Sequence, residues 1–433
     1  MTRVRLAGQR TFRSLHTRNY RLFFFSQLIS LSGTWMQTTA QSWLVLELTG
    51  KATAGSALGL MVALQFLPML LFGVWGGVIA DRLDKRRTLI WTQSSAAVLA
   101  IALFVIVLTG VTQLWMIYVL AFLLGCVTVF DNPARQAFVI EMVGADDVTN
   151  AVGLNSAVFN SARLVGPALA GILIHAIGIS PSFLLNAISF VPVIAALAAM
   201  RTRELAQLNP VPRSKGQIRE GLRYVWGTPV LRSTLLLVTV VATFGFNQII
   251  VLPLLARYVF GGGAGLYGAM FAALAAGGLI GGLGAAARGA PSRSMLIWSA
   301  VGFSVMAMLV SLAPNAVVAM IGLVPMGVFS MTFIATANST LQLSSRHEMR
   351  GRVMALYALV FLGSTPLGGP LIGWISQQWG ARSGLFVGGA ASLVAAAAAA
   401  LSVWRQRRRA AEQEADDIVS LPALEPELEE ATV

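Results

Sequence analysis

The sequence is poor in the side chains that build disulfide frameworks and metal centres. Its 433 residues include one cysteine, Cys126, so no internal disulfide or cysteine cluster can form. The three histidines, His16, His175 and His347, are far apart in the chain, which argues against a metal site. Charged residues make up only 11% of the chain, which excludes an ordinary soluble protein. We expect no metal and no other cofactor.

Hydrophobic residues, by contrast, make up 56% of the chain and form twelve long runs. Most runs hold the ~20 residues that a helix needs to cross ~30 Å of hydrocarbon. Lipid offers no partner for open backbone groups, so these runs are predicted to be transmembrane helices. The predicted spans are Leu22–Leu46, Ala57–Ala80, Thr88–Thr109, Leu114–Phe130, Val152–Ala176, Ser182–Met200, Ser233–Ala256, Leu266–Ala286, Met295–Ala313, Val317–Thr336, Val353–Ser376 and Gly384–Val403.

The longest loop divides the spans six and six. It predicts an N-terminal half with a basic tail (1–200), a cytoplasmic linker (201–232), a C-terminal half (233–404) and a cytoplasmic tail (405–433), whose acidic end is predicted to be disordered. Three glycines of the first half recur 202 residues later: Gly166, Gly171 and Gly178 correspond to Gly368, Gly373 and Gly380. This repeat predicts two pseudo-symmetric halves with the substrate site between them.

The distribution of charge predicts the orientation. The net charge is +13, and with a cytoplasmic N-terminus 27 of the 31 Lys and Arg residues fall in inner tails and loops. Such an excess is typical of the cytoplasmic side of a membrane protein. We therefore predict a multi-pass protein of the inner (plasma) membrane with both termini in the cytoplasm, and no nucleic-acid partner.

Residues 76–87, between the second and third spans, combine a glycine-rich helix end with two acidic and four basic side chains. Glycine lets helices approach closely, and an acid can bond cations or a neighbouring helix N-terminus. We predict a cytoplasmic gate whose bonds close in one conformation and break in the other. The predicted gate residues are Gly77, Asp81, Arg82, Arg86 and Arg135. Alternatively, the basic residues only hold a short loop on the inner side.

The arrangement Gly-x-x-x-Asp-Arg in this loop, followed after Leu83 and Asp84 by Lys85, Arg86 and Arg87, resembles the signature of the major facilitator superfamily, although Asp84 stands where the family has glycine. The helix-bending motif Gly166, Pro167 and Gly171 resembles the family's antiporter motif. Segments 32–37, 41–45, 133–138 and 154–163 are similar to the enterobactin-exporter-like branch. The resemblance implies an all-α integral membrane fold of twelve transmembrane helices. Members of this branch export siderophores or macrolides.

Arg163 is the most informative single side chain, because it lies near the middle of the fifth predicted span. An arginine there costs about 2.5–3.5 kcal/mol, so it is expected to face a cavity or a partner. Polar residues recur at helical spacing around it and along the first span. The predicted substrate path comprises Thr34, Gln37, Gln41, Asn160, Arg163 and Asn247. A buried polar network that only locks helices together is the alternative.

Two acids are candidates for carrying a coupling proton. Glu47 is at the outer end of the first span, and Asp131 is at the inner end of the fourth. Either would exchange a proton if burial favoured its neutral form. Asp131 alternatively forms an ordinary helix ion pair with Arg135, four residues on.

These features together predict a secondary exporter that moves a siderophore-like or drug-like molecule by alternating access, with proton antiport. Its expected partners are the substrate, protons and the lipid bilayer, with no obligate protein partner. A lipid or lysolipid flippase on the same fold is an alternative. A membrane-embedded enzyme is a weaker one, because no catalytic cluster of histidine and acid, and no phosphate-binding loop, is present in the sequence.

Overall fold

The computed structural model describes residues 13–144, 147–206, 217–288 and 291–419, and this part of the chain is helical apart from its connecting loops. The first half consists of α1 (Arg18–Leu48), α2 (Ala54–Arg82), α3 (Lys85–Leu108), α4 (Leu114–Val143), α5 (Val148–Ile177) and α6 (Ser180–Ala198). The second half consists of α7 (Pro229–Val259), α8 (Ala264–Ala287), α9 (Arg293–Ser311), α10 (Ala316–Leu343), α11 (His347–Trp379) and α12 (Ala381–Val419). The acidic stretch predicted to be disordered begins at Glu412, but the last helix continues through the first part of the tail to Val419. Residues 420–433 lie outside the described residues.

Within the described residues, every helix in this series except α1 contains a stretch long and apolar enough to cross a bilayer, eleven in all. α1 has the length, 31 residues, but carries a polar series along it. Many of these polar side chains are buried against other helices, among them Ser30, Gln37 and Gln41. Burial inside the bundle explains how a helix of lower hydropathy takes its place among the spans.

Three predicted spans differ most from the helices observed, those of α4, α7 and α12. α4 continues to Val143, past the predicted end at Phe130, and α12 continues to Val419, past Val403. The polar residues Asp131 and Arg135, just beyond Phe130, form an ion pair. α7 is interrupted by two π-helical turns, Val241–Gly245 and Leu255–Val259. Such turns add a residue to a helical turn and often mark functional positions.

The glycine repeat corresponds to equivalent contacts in the two halves, which confirms the predicted pseudo-symmetry. A Cβ atom on Gly166 of α5 would lie 2.6 Å from the carbonyl oxygen of Ser32 in α1, and one on Gly368 of α11 would lie 1.9 Å from that of Thr243 in α7. Gly178 and Gly380 end α5 and α11 with φ of +92° and +89°. Glycine is favoured at such positive φ.

The halves meet near one face of the bundle. We call the face where α1 begins the terminal face, and the other the opposite face. Close to the opposite face, a Cβ on Gly373 of α11 would lie 2.3 Å from the carbonyl oxygen of Gly55 in α2, and one on Gly268 of α8 would lie 2.5 Å from that of Pro167 in α5. These backbone approaches require glycine. They hold the halves together at the opposite face.

A separate helix, Gln217–Gly227, lies in the linker where helical spacing in the sequence indicates one. It packs on the second half: Glu220 forms an ion pair with Arg352 of α11, and the backbone N–H of Arg346 donates to the Tyr224 hydroxyl at 3.0 Å. The linker helix is therefore anchored to the half that follows it.

Candidate transport site

Arg163 lies where the two halves touch. Its guanidinium carbon is 5.5 Å from the ring centre of Trp35 in α1 and 5.7 Å from that of Phe271 in α8. Its Nε is buried without a hydrogen-bond partner, and among the described residues Arg163 has no ion-pair partner. Aromatic rings attract the cation through its faces, but they accept none of its in-plane N–H groups as an anion would. The site therefore holds a positive charge that is only partly compensated.

Small residues around Arg163 bring the three helices within reach. Gly166 packs on the backbone of α1, and a Cβ on Gly171 would lie 3.1 Å from the carbonyl oxygen of Ala264 in α8. Pro167 lies between them inside a continuous helix. The predicted helix-bending motif thus packs α5 against both α1 and α8, while bending during transport remains a prediction.

Thr34 and Asn160, predicted to line the path with Arg163, bond the backbone of their own helices. The Thr34 hydroxyl donates to the Ser30 carbonyl at 3.0 Å, and the Asn160 amide donates to the Ser156 carbonyl at 2.8 Å. Both side chains are half-buried. Because these bonds use donors, the side-chain oxygens remain able to accept from a ligand.

Two of the other predicted path residues, Gln37 and Asn247, bond within their own halves. The Gln37 amide oxygen accepts from Asn186 of α6 at 2.7 Å, and the amide of Asn247 donates to the Thr243 carbonyl at 2.8 Å. Asn247 adjoins a small pocket formed by α7, α11 and α12. Gln41 is buried with its Nε2 unpartnered. None of the described contacts joins Gln37 or Asn247 to Arg163. Helical spacing in the sequence aligns side chains along one helix, but it does not predict which helices face each other.

Asp131 lies in a buried polar cluster nearer the terminal face. Its carboxylate accepts from Thr92 and Gln93 of α3, each at 2.7 Å, and from Arg135 through Nε at 3.0 Å and through Nη2. Arg135 also donates to Gln27 of α1. The Asp131–Arg135 ion pair is therefore present, and it ties α4 to α1 and α3. Glu47 is exposed at the far end of α1. A proton-coupling role of either acid remains a prediction.

The described gate residues make contacts inside the first half. Arg86 donates to the carbonyls of Leu197 and Ala198 at the end of α6, at 2.6 and 3.0 Å, where a cation is favoured by the helix dipole. Arg82 is exposed. The surroundings of Gly77 and the side chain of Asp81 lie outside the described part of the structure. A gate between the halves remains a prediction.

Two neighbours of the gate explain features that the sequence left open. Asp84, which stands where the superfamily has glycine, caps α3 by accepting from the backbone N–H of Arg87 at 2.8 Å. Gly76 makes the close helix approach, since a Cβ there would lie 3.0 Å from the carbonyl oxygen of Val129 in α4.

A series of aromatic rings lies beside Arg163 and was not predicted from the sequence. Trp35 contacts Phe271, Phe271 contacts Tyr267, and Tyr267 stacks on Trp43, with ring centres 5.8, 6.2 and 6.4 Å apart. Arg257 of α7 lies over Trp43 at 5.6 Å. A signal was present in the sequence, because the two tryptophans are eight residues apart on one face of α1 and the two α8 rings are one turn apart.

Two pseudo-symmetric halves of six helices are the architecture of many secondary transporters. Residues 9–432 match the family model described as transmembrane secretion effector, and the chain belongs to this family of the major facilitator superfamily. It is a transporter and not an enzyme.

Two curated relatives are transporters of small molecules. The chain is 28% identical to the staphyloferrin A transporter of Staphylococcus aureus over 264 residues, which are 60% of this chain and 64% of that protein. It is 26% identical to the multidrug efflux pump Tap of Mycolicibacterium fortuitum over 373 residues, 84% of this chain and 90% of that protein. The match thus spans less than two thirds of the first relative and most of the second.

Solved structures confirm the predicted major facilitator fold. A bacterial homologue of the human lysosomal transporter Spinster, inward-facing and unoccupied, aligns with a TM-score of 0.70 at 13% identity, over 89% of this chain and 96% of that one. A D-xylose–proton symporter aligns with a TM-score of 0.68 at 13% identity, over 87% and 97%.

Proposed function

We propose that this chain exports small organic anions, siderophore-like or drug-like, from the cytoplasm by alternating access. The observation that carries the proposal is Arg163, whose charge is met by two aromatic rings and by no carboxylate among the described residues. An arginine at this depth costs about 2.5–3.5 kcal/mol, of which cation–π contacts return about 0.5–2 kcal/mol. An anionic group on the cargo completes the site. The two curated relatives, named as a staphyloferrin A transporter and a multidrug efflux pump, support a siderophore-like or drug-like cargo.

We further propose that a proton moving inward drives export. One proton crossing ~100 mV supplies about 2.3 kcal/mol, enough for a gradient of about 50-fold. Asp131 is the better placed candidate, because the same carboxylate holds Arg135, which links α4 to α1. Protonation would weaken that ion pair and loosen this end of the first half.

The test is transport by the purified full chain in proteoliposomes under an imposed pH gradient. The probes are staphyloferrin A, enterobactin and the uncharged antibiotic chloramphenicol. We expect at least one anionic probe to accumulate in the direction opposite to proton flow, and an uncoupler to abolish this. Arg163→Ala should lower transport of the anion at least tenfold, and Arg163→Lys less, because lysine keeps the charge but not the planar group.

Arg288→Ala is the matched control, since Arg288 follows α8 and is exposed. Accumulation that ignores the pH gradient would contradict proton antiport. Translocation of a labelled phospholipid without any of the three probes would identify a flippase instead.

A further inference from the structure

A second arginine resembles Arg163 in its surroundings. Arg257, in the last π-helical turn of α7, lies with its guanidinium carbon 5.6 Å from the ring centre of Trp43 and 5.8 Å from that of Tyr258. Its Nη1 is buried without a hydrogen-bond partner. In the described structure it has no ion pair, although the acid Glu47 follows Trp43 by one helical turn. Arg257 is therefore another cation that aromatic rings cover and no acid neutralises.

The series of rings from Trp35 to Trp43 connects the two arginines along the contact between the halves. Arg163 lies over the inner end of the series and Arg257 over the outer end. Trp35 and Trp43 are eight residues apart on α1, which corresponds to ~12 Å along the helix at ~1.5 Å per residue. The two cations are thus successive positions between the middle of the bundle and the opposite face.

Each arginine has one aromatic neighbour on the other half. Arg163 belongs to the first half and contacts Phe271 of the second, while Arg257 belongs to the second half and contacts Trp43 of the first. Separation of the halves at the opposite face would remove both contacts and leave the guanidinium groups facing the opened space. A planar guanidinium with free N–H groups binds a carboxylate through two parallel hydrogen bonds.

We propose that Arg257 forms a second anion-binding site on the release side of the path, to which the carboxylate or phenolate group of the cargo passes from Arg163 when the opposite face opens. This inference rests on the proposed export of organic anions. The proposal gives Arg257 a role in binding the cargo. A purely structural contact between α7 and α1 would not require this role.

The experiment compares Arg257→Gln and Arg257→Lys with the wild type in proteoliposomes, using whichever of staphyloferrin A and enterobactin the wild type transports and, for comparison, the uncharged chloramphenicol. Arg382→Gln is the control, because Arg382 is also near the opposite face but donates to the Ala313 carbonyl at 2.8 Å. Three quantities are measured: the transport rate, the affinity of the detergent-solubilised protein for the probe, and inhibition of transport by probe added at the opposite face.

Arg257→Gln should slow transport of the anion at least tenfold and raise the inhibitory concentration at the opposite face at least tenfold. Its affinity in detergent should stay within twofold of the wild type, because Arg257 is covered while the halves touch at that face. The transport rate of Arg257→Lys should lie between the rates of Arg257→Gln and the wild type. Arg163→Ala, in contrast, should weaken binding in detergent.

Two results would overturn the second site while leaving the proposed function intact. In one, Arg257→Gln transports the anion, and is inhibited from the opposite face, as the wild type is. In the other, transport of chloramphenicol falls as much as that of the anion, which would make Arg257 a latch indifferent to cargo charge. A wild type that transports neither anion would overturn the proposed function, and the second site with it.

Discussion

At the scale of single residues, three arginines of the bundle have two different kinds of neighbour. Arg135 meets the carboxylate of Asp131, whereas Arg163 and Arg257 meet only aromatic rings among the described residues. A carboxylate at hydrogen-bond distance fixes a cation, because removing either partner leaves a buried charge unpaired. Rings leave the N–H groups available. The first arrangement suits a link between helices, which the proposed protonation of Asp131 would loosen, and the second suits a ligand that binds and leaves.

The Asp131–Arg135 pair gives a prediction of stability. Asp131→Asn should lower the free energy of unfolding by about 3 kcal/mol, because it leaves Arg135 without a counter-charge. The double variant Asp131→Asn/Arg135→Gln should recover part of this loss, measured by thermal unfolding of the purified protein. Losses that simply add would show that the two side chains do not interact.

The position of Arg163 was predictable from the sequence, because a charge in the middle of an apolar run is visible in one dimension. Its surroundings were not. Trp35 lies within a segment already singled out for its resemblance to the exporter branch, but nothing in the spacing of α1 indicated that Phe271, more than a hundred residues away, would close the other side.

At the scale of helices, backbone contacts between small residues decide which helices touch across the halves. In α8, a Cβ on Gly268 would collide with the Pro167 carbonyl of α5, whereas the atom nearest to a Cβ on Gly278 is the Gly327 carbonyl oxygen at 4.0 Å. Both residues are glycines within the same helix, α8. Only one of them lies at the contact between the halves.

This difference predicts unequal effects of the same substitution. Gly268→Ala should lower the transport rate at least fivefold, because the added methyl group prevents α5 and α8 from closing at the opposite face. Gly278→Ala should leave it within twofold of the wild type. Transport assays in proteoliposomes, with thermal unfolding to show that both variants fold, provide the measurement. Equal effects of the two variants would contradict the assigned contact.

Helix existence was predictable from hydrophobic runs, but helix continuity was not. The breaks in α7 at Val241–Gly245 and Leu255–Val259 lie within an apolar run that shows no change of period. Likewise, the cap formed by Asp84 gives a local reason for the departure from the superfamily signature, which the sequence alone presented only as a mismatch.

At the scale of the whole molecule, the contacts at the opposite face and the distribution of charge describe one conformation of the transporter. Close approaches such as Gly55 with Gly373 hold the halves together there, and we therefore expect the predicted substrate path to open on the terminal face. The excess of basic residues in the loops of that face predicts that it is cytoplasmic. In this state, cargo would enter from the cytoplasm.

The orientation is directly testable by labelling. Replacing Cys126 by serine gives a background without cysteine, into which Lys51→Cys or Arg203→Cys is introduced at an exposed position. A membrane-impermeant maleimide should label Lys51→Cys in intact cells and Arg203→Cys only after permeabilisation. The reverse pattern would place the termini outside the cell.

The sequence by itself determined that this protein spans a membrane in two related halves, to which superfamily it belongs, and that Arg163 is exceptional. Hydropathy, charge and repeated glycines are properties of the chain taken in order, so they need no coordinates. Only the tertiary structure decided that Gln37 and Asn247 bond within their own halves, that Asp131 is held by four donors, and that aromatic rings join Arg163 to Arg257. These facts depend on how each helix is rotated against its neighbours. Spacing within one helix cannot predict that rotation, because the rotation is set by the packing of small residues from several helices at once.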